Sequence, residues 1–384
     1  MKLSSAADTV AKVGIENGED VFCASYFYAM QYRIEGTDES TIADWLSEQK
    51  YSQLVVLADT NTRALCLPRL VALLPEHSVL EIEVGEQHKN LETAQLIWHQ
   101  LAGLKADRAT LLLCVGGGMV TDIGGFTAST YLRGIRFAHV PTTLLGMADA
   151  AIGGKTGVDL GFAKNMVGSF AMPEAVFCFP AMLETLAEEE VIAGWAEVLK
   201  HSLIDEGNGT NGKIWKQTRQ AEVWNQEDLL AGLRMSYYCK SKIVAADPKE
   251  QGLRKVLNVG HTIGHALESM CLAKGTPVPH GMAIAAGMMC EAHIAFARGL
   301  MSEAVFYDIE ETIFSSFVAV EIGPEDMEAI YGFVMQDKKN RDGQIGCALL
   351  HAPGKVDVEA TISLEEIGAA IVWYRGEEVG AYMD

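Results

Sequence analysis

The side chains best equipped for chemistry concentrate in Leu257-Asn258-Val259-Gly260-His261-Thr262-Ile263-Gly264-His265-Ala266-Leu267-Glu268, followed by His280-Gly281. On a helix, His261 and His265 stand four positions apart, so both imidazoles reach one cavity, where they could bind a metal ion or transfer a proton. This is not the His-Glu-x-x-His protease signature, because position 262 is Thr. Two histidines on an amphipathic helix are also commonly ordinary packed residues, so the pair alone leaves the chemistry open. A second cluster, Gly194-Trp195-Ala196-Glu197-Val198-Leu199-Lys200-His201, brings Glu197 next to Lys200 and His201 on a helix. Its apolar neighbours place this helix in the interior, and a buried carboxylate needs a cation, of which a metal is one candidate. Glu197 and His201 at i, i+4 could themselves be ligands, so local sequence does not decide the set.

Glycines and cations supply a second kind of chemistry. Gly116-Gly117-Gly118 sits where a strand meets a helix, a place where α/β folds bind phosphate through backbone amides. It lacks the G-x-G-x-x-G spacing and could be only a tight turn. Asp59, at the end of an earlier strand, could accept ribose hydroxyls, and Thr142-Thr143 could contact a phosphate or ribose. Together they describe a dinucleotide laid across strand ends. Gly153-Gly154-Lys155-Thr156 resembles the end of a P-loop, but the first glycine of that motif would fall at Asp149, whose charge suits a phosphate cradle poorly. The better reading is a flexible glycine segment presenting Lys155, with Lys164 and Asn165 following, to a small anion. Lys240, Lys242, Arg254, Lys338 and Lys339 are further cations, and Arg254 lies close enough to His261 in sequence to supply a bidentate anion clamp to the same site.

These groups must be positioned by two domains, the sensible reading of 384 residues. Residues 1–182 alternate short apolar runs with helical segments: strands at 51–59, 79–84, 109–115 and 137–140, and helices at 91–104 and 122–130. This pattern predicts a parallel sheet wrapped by helices. Residues 183–384 change to long helical stretches at 186–204, 227–246, 261–270, 282–297 and 302–317, with at most a short hairpin near 345–356 and a polar loop over 207–220. The net charge of −21 argues against nucleic acid and anionic membrane as partners, so any anionic ligand must be met by a local cationic patch. Eight cysteines without C-x-x-C spacing fit a reducing compartment, and the cytoplasm is expected. Neither a signal peptide nor a membrane span is legible.

Taken together, GGGMVTDIGGFTASTYLRG, PTTLLGMADAAIGGKTGVDLGFAKN, GWAEVLKH, DPKEQGLRKVLNVGHTIGHALE and DKKNRDG resemble the dehydroquinate synthase family of sugar phosphate cyclases, over about residues 59–341. The resemblance implies an N-terminal NAD-binding α/β domain, an all-α C-terminal metal domain and an active site in the cleft between them. It makes Glu197, His261 and His280 the ligands of zinc, with cobalt as an alternative ion, and turns His265 toward the substrate. Around NAD it places Asp59, Asn61, Glu86, Lys89, Gly117 and Gly118, and with them Asp122, Thr142, Thr143, Asp149, Lys155 and Lys164. Around the substrate it places Lys155, Asn165, Lys200, Lys240, Arg254, Asn258, His265 and Lys338. Arg133 matches a position that reaches the phosphate from a neighbouring subunit, which implies a homodimer. The implied reaction converts 3-deoxy-arabino-heptulosonate 7-phosphate to 3-dehydroquinate and phosphate in the shikimate pathway. Oxidation by NAD acidifies the neighbouring C–H, phosphate leaves, the hydride returns, and ring opening with intramolecular aldol closure completes the cycle.

One departure stands out: after His280-Gly281 the family usually places Glu, whereas this chain has Met282. That loss bears on how His280 is oriented. Residues 1–50 match nothing specific and are read as a first strand and helix or an embellishment. The alternatives are a cyclase acting on sedoheptulose 7-phosphate or glucose 6-phosphate, whose substrates lack the carboxylate, and a polyol dehydrogenase such as glycerol dehydrogenase, whose uncharged substrate would not need so many cations. A non-catalytic nucleotide-binding regulator would have no use for Glu197 and two histidines.

Overall fold

The computed structural model describes residues 31–34, 38–161, 163–205, 212–336, 340 and 344–376. Its N-terminal half is built on a six-stranded parallel sheet. The strands are β1 (Gln31–Ile34), β2 (Leu54–Asp59), β3 (His77–Ile82), β4 (Leu111–Gly116), β5 (Arg136–Pro141) and β8 (Ala175–Cys178), in the order β1-β8-β5-β4-β2-β3. The central strands are apolar at successive positions because both faces are covered. Leu54, Val56, Leu111 and Leu113 face one core, while Val55, Leu57, Leu112 and Cys114 face the other. Helices α4 (Leu91–Gly103) and α5 (Gly118–Thr130) cover the second face through Ile97, Leu101, Val120 and Ile123. α1 (Thr41–Glu48) contributes Ile42 and Trp45 to the first, α2 (Thr60–Leu65) packs against β2, β3 and β4, and α3 (Leu67–Leu70) adds Leu67 and Leu70 to the first core. β2 leads outward to β3, whereas β4, on the opposite side of β2, leads to β5. Such a reversal opens a crevice at the strand C-termini, where Asp59 and Gly116 end adjacent strands.

The first core continues without interruption into the helices of the C-terminal half. These are α6 (Glu188–Ile204), α7 (Lys213–Thr218), α8 (Gln226–Ala246), α9 (His261–Lys274), α10 (His280–Ala297), α11 (Glu303–Ser316), α12 (Met327–Met335) and α13 (Leu364–Tyr374). α10 is buried on all sides, consistent with its apolar sequence, and is packed by α6, α9, α11 and α13. The antiparallel hairpin β9 (Ile345–Ala352) and β10 (Lys355–Ile362) is longer than the 345–356 turn expected from sequence.

Several expectations need correction. The glycine segment at 153–159 is not a flexible loop: β6 (Lys155–Leu160) pairs antiparallel with β7 (Ala163–Phe170). Glycines weaken a strand signal, yet Gly157 and Gly168 face each other there because a Cβ on Gly168 would lie 2.3 Å from the Thr156 carbonyl oxygen. Residues 213–218, read as part of a polar loop, form α7, pinned by Trp215, whose indole is 1% exposed and donates to Asp308 at 2.6 Å. One anchored aromatic outweighs the polar flanks; the earlier part of that loop lies outside the described residues. β8 escaped notice because four residues carry too little pattern. The strand and helix anticipated before residue 50 match β1 and α1.

His139 in β5 is 3% exposed and packs against Phe137, with no hydrogen-bond partner at Nδ1 among the described residues. Burial pushes its imidazolium down to about 3. The unfolded chain therefore binds a proton that the folded chain refuses, so this contribution to stability is complete above about pH 6.5 and declines as pH falls toward 3. By pH 5 the loss is about 2 kcal/mol. Urea unfolding midpoints measured at pH 7.5 and pH 5 should fall further for the native chain than for His139→Leu; equal falls would exclude His139 as the source.

Candidate active site

A cavity of about 1820 Å³ runs from the C-terminal ends of β2 and β4 across the β6–β7 hairpin to α9, α10 and the β9–β10 hairpin. At the sheet end, α5 begins at Gly118 behind a glycine N-cap with no side-chain cap, leaving its first-turn amides for a ligand. Gly117 faces Thr143, whose hydroxyl accepts from the Gly146 amide at 3.0 Å. Asp59, 5% exposed, accepts from the Thr62 amide at 2.8 Å and so caps α2 while lining the crevice. Lys89 is buried among Glu86 at 2.6 Å, Asp122 at 3.5 Å and Asp159 at 3.7 Å. Burial opposes its charge, but the three carboxylates raise it above its ordinary value. Asp122 itself is pushed up to about 6 by burial, against the pull of Lys89.

The middle of the cavity is cationic, yet each cation has a partner. Lys155 meets Glu250 at 2.5 Å, and burial lowers its ammonium to about 8 despite that carboxylate. Lys240 donates to Asp149 at 2.6 Å, and His201 Nε2 approaches the same oxygen at 3.1 Å. Lys164 meets Glu268 at 2.7 Å. Arg254, 1% exposed, lines the cavity with its guanidinium held by the backbone: Nη1 donates to the Pro248 carbonyl and Nη2 to the Gly153 carbonyl, both at 2.8 Å. Gly153 has φ 99, and a Cβ there would lie 2.9 Å from Nη2, so only glycine brings this backbone onto the guanidinium.

At the helical end, α9 presents His261 and His265 and α10 presents His280, with ring centroids 4.9 to 5.7 Å apart. Their ligand atoms all lie within 4.8 Å of one another. Glu197 on α6, fully buried behind the rings, places Oε1 3.7 Å from His261 Nε2 and 3.6 Å from His280 Nε2. Burial would raise this carboxyl, but the adjoining Lys200 and His280 hold it at about 2. Imidazoles around one carboxylate form a donor set suited to zinc or cobalt, and the geometry leaves both Glu197 and His265 within reach of such an ion. A second grouping of Asp149, Glu197 and His201 is as tight, but Lys240 and Lys200 already neutralise its carboxylates, which disfavours another cation.

Most of the residues expected from sequence line this one cavity, including Asn165, Asn258 and His265. Thr142 and Glu197 are buried behind the lining, Asn61 is exposed on α2 outside it, and Arg133 is exposed on a turn outside it. Lys338 lies outside the described residues. Sequence reasoning missed Glu250, which bonds both Lys155 and the Asn258 amide at 2.9 Å, and no spacing marks it. It also missed Glu268, whose carboxylate meets His280 Nδ1 at 3.2 Å. That residue was findable, because His261, His265 and Glu268 follow i, i+4, i+7 on one helical face.

The family profile for the 3-dehydroquinate synthase N-terminal region matches residues 79–193, and that for the C-terminal region matches residues 194–340. The 3-dehydroquinate synthase of Parabacteroides distasonis is 38% identical over 345 residues, 88% of this chain and 95% of that protein. The chain belongs to the 3-dehydroquinate synthase family. Among solved structures, 2-deoxy-scyllo-inosose synthase in complex with carbaglucose-6-phosphate, NAD+ and Co2+ superposes with a TM-score of 0.78 at 23% identity, covering 91% of this chain and 96% of that one. The 2-epi-5-epi-valiolone synthase of Streptomyces hygroscopicus subsp. jinggangensis, with NAD+ and Zn2+ bound, gives 0.73 at 24% identity, covering 94% and 98%. These two likenesses concern the fold.

Within this family member, Met282 is 7% exposed in the main core, while Glu268 supplies a carboxylate to His280 from α9. Met282→Glu should therefore bury a carboxylate in the core and cost on the order of 3 kcal/mol of stability. Chemical denaturation reads this directly; an unchanged or higher midpoint would show that the position welcomes the acid.

Proposed function

We propose that this chain is a 3-dehydroquinate synthase, converting 3-deoxy-arabino-heptulosonate 7-phosphate to 3-dehydroquinate and phosphate with NAD and a divalent metal ion. The observation that carries the reading is one continuous cavity joining a parallel-sheet crevice to a histidine–carboxylate nest through a row of paired cations, in a family member with net charge −21. When bound, NAD would supply a reversible hydride acceptor and the metal a Lewis acid that lowers the pKa of a substrate hydroxyl.

The chain's own residues then have separable tasks. Gly117, Gly118 and the first turn of α5 receive the pyrophosphate, and Asp59, beside them, accepts from ribose; Thr143, Lys89, Asp122 and Lys164 complete that wall. Glu197, His261 and His280 hold the metal, and Glu268 fixes the His280 ring by accepting at Nδ1. His265, on the same face of α9 but outside that set, is left to the substrate. Lys155, Lys200, Lys240 and Arg254 receive the substrate's carboxylate and phosphate, with Asn165, Asn258 and Lys338 as polar contacts. Their carboxylate and carbonyl partners hold the cations in place before substrate arrives, which limits the entropy lost on binding.

The proposed division of labour places the NAD domain in residues 1–182 and the metal and substrate domain in 183–384. A homodimer is part of the reading: Leu132, Arg133 and Gly134 have φ of 50, 67 and 120, a strained turn that presents Arg133 outward, away from its own cavity. Seven buried free cysteines among the described residues suit the reducing cytoplasm, and no helix among those residues is long and apolar enough to cross a membrane.

Metal-loaded protein with NAD should release phosphate from the heptulosonate phosphate without accumulating NADH; steady NADH production would indicate a dehydrogenase, and preference for sedoheptulose 7-phosphate or glucose 6-phosphate would indicate another cyclase. His261→Ala and His280→Ala should each weaken zinc binding by more than about 10-fold, whereas His265→Ala should keep the metal and lose turnover. Undiminished zinc binding by His280→Ala contradicts the ligand assignment. For the dimer, inactive Arg133→Ala mixed with inactive Lys155→Ala should regain about a quarter of native turnover in statistically mixed dimers, since one site then has both residues. No recovery on mixing, with subunit exchange verified, would place Arg133 outside the partner's site.

A further inference from the structure

α9, which carries His261 as its first residue, begins without a cap of its own. Its N-cap is Gly260, at φ 80, pressed onto the middle of α10. A Cβ on Gly260 would lie 2.5 Å from Met288 Cγ and 2.9 Å from the Ile284 carbonyl oxygen, and one on Gly287 would lie 2.0 Å from the Gly260 carbonyl oxygen. The crossing therefore has no room for the Ser, Thr, Asp or Asn that ordinarily satisfies first-turn amides. Those amides are instead satisfied from across the interface. Glu291, one turn beyond Gly287 on α10 and 1% exposed, accepts from the Gly260 amide at 2.6 Å through Oε2. Its Oε1 accepts from the Thr262 amide at 3.0 Å and the Ile263 amide at 3.2 Å.

We propose that Glu291 is a positioning residue for the metal centre, a cap supplied by the neighbouring helix that sets where His261 stands relative to His280. The inference rests on the assignment of His261, His280 and Glu197 to the metal. His280 opens α10, and Glu291 lies about three turns along the same helix, so α10 fixes the distance between them. The three bonds from Glu291 then fix the axial position and rotation of the first turn of α9, and with it His261. Charge acts in the same direction. The carboxylate offsets the positive end of the α9 dipole, which would otherwise face the cation that His261 holds. Three charge-assisted bonds at a buried crossing form a stiff link, so geometry and field should both weaken when the charge is removed.

The test uses the full chain, measuring Zn2+ affinity by competition with a chromophoric chelator, the visible absorption of the Co2+-loaded protein, NAD affinity and the melting midpoint. Glu291→Gln should bind Zn2+ about 10-fold more weakly and alter the Co2+ spectrum, with NAD affinity unchanged. Asp308→Asn serves as a stability control, removing the carboxylate that holds Trp215 and Arg219 away from the cavity; it should lower the melting midpoint and leave Zn2+ affinity and the Co2+ spectrum as they were. If Glu291→Gln does not fold, Glu291→Asp, whose shorter carboxylate retracts from the three amides, should show weakened Zn2+ binding and an altered spectrum. Native Zn2+ affinity and spectrum in the folded variant, or equal metal loss in Asp308→Asn, would overturn the role of Glu291. His261→Ala run in parallel separates the two readings: undiminished Zn2+ binding there overturns the metal assignment itself, whereas loss there with native binding in Glu291→Gln overturns only the positioning role.

Discussion

A carboxylate with no solvent exposure, Glu197, imposes the constraint on which the helical half depends. An ionised carboxyl in the interior carries a desolvation penalty of several kcal/mol even after relaxation, and its neighbours must offset it. α6 is buried from Gly194 to Ile204 around Glu197, so compensation comes from Lys200 one turn along the same helix and from imidazoles on two other helices. The crossing of α9 and α10 is thereby tied to the charge at its mouth. Glu268 and Glu291 extend the arrangement, one holding the far nitrogen of His280 and the other holding the first turn of α9. A cation gathered by these groups would meet ligands whose positions are already determined by packing.

The same logic explains how an acidic chain accommodates an anionic ligand. Its long-range field repels anions, so attraction has to be local and short-ranged. The cations lining the cavity are held by partners: Lys155 by Glu250, Lys164 by Glu268, Lys240 by Asp149, and Arg254 by two backbone carbonyls. An incoming carboxylate or phosphate would therefore have to displace these internal partners as well as water. Selectivity then follows from geometry, since only a ligand placing its charges at the right separations recovers what the exchange gives up.

Much of this was legible in sequence, and the limits have physical causes. β2 and β4 are readable because a strand buried on both faces is a continuous apolar run, and α9 and α10 because each is long. The β6–β7 hairpin is hidden by its glycines, which mimic a loop while permitting the close approach at Thr156 and Gly168. α7 is hidden by its polar flanks, and only the burial of Trp215 explains it. Glu268 obeys helical spacing and could have been found beside the two histidines, whereas Glu250 reaches Lys155 across the fold and leaves no local pattern. Met282 looked like a defect beside His280, but that position is core, and the ring is oriented from another helix.

The sequence by itself determined residue chemistry and local periodicity: which side chains can bind a metal, which glycines precede a helix, which segments alternate strand with helix, and the ordered motifs that identify the family. Tertiary structure decided partnership. What holds the Arg254 guanidinium, which acid steadies His280, and what caps a helix that begins in glycine all depend on residues far apart in the chain. Hydrogen bonds and ion pairs act over a few ångströms, and only the folded chain brings such residues that close.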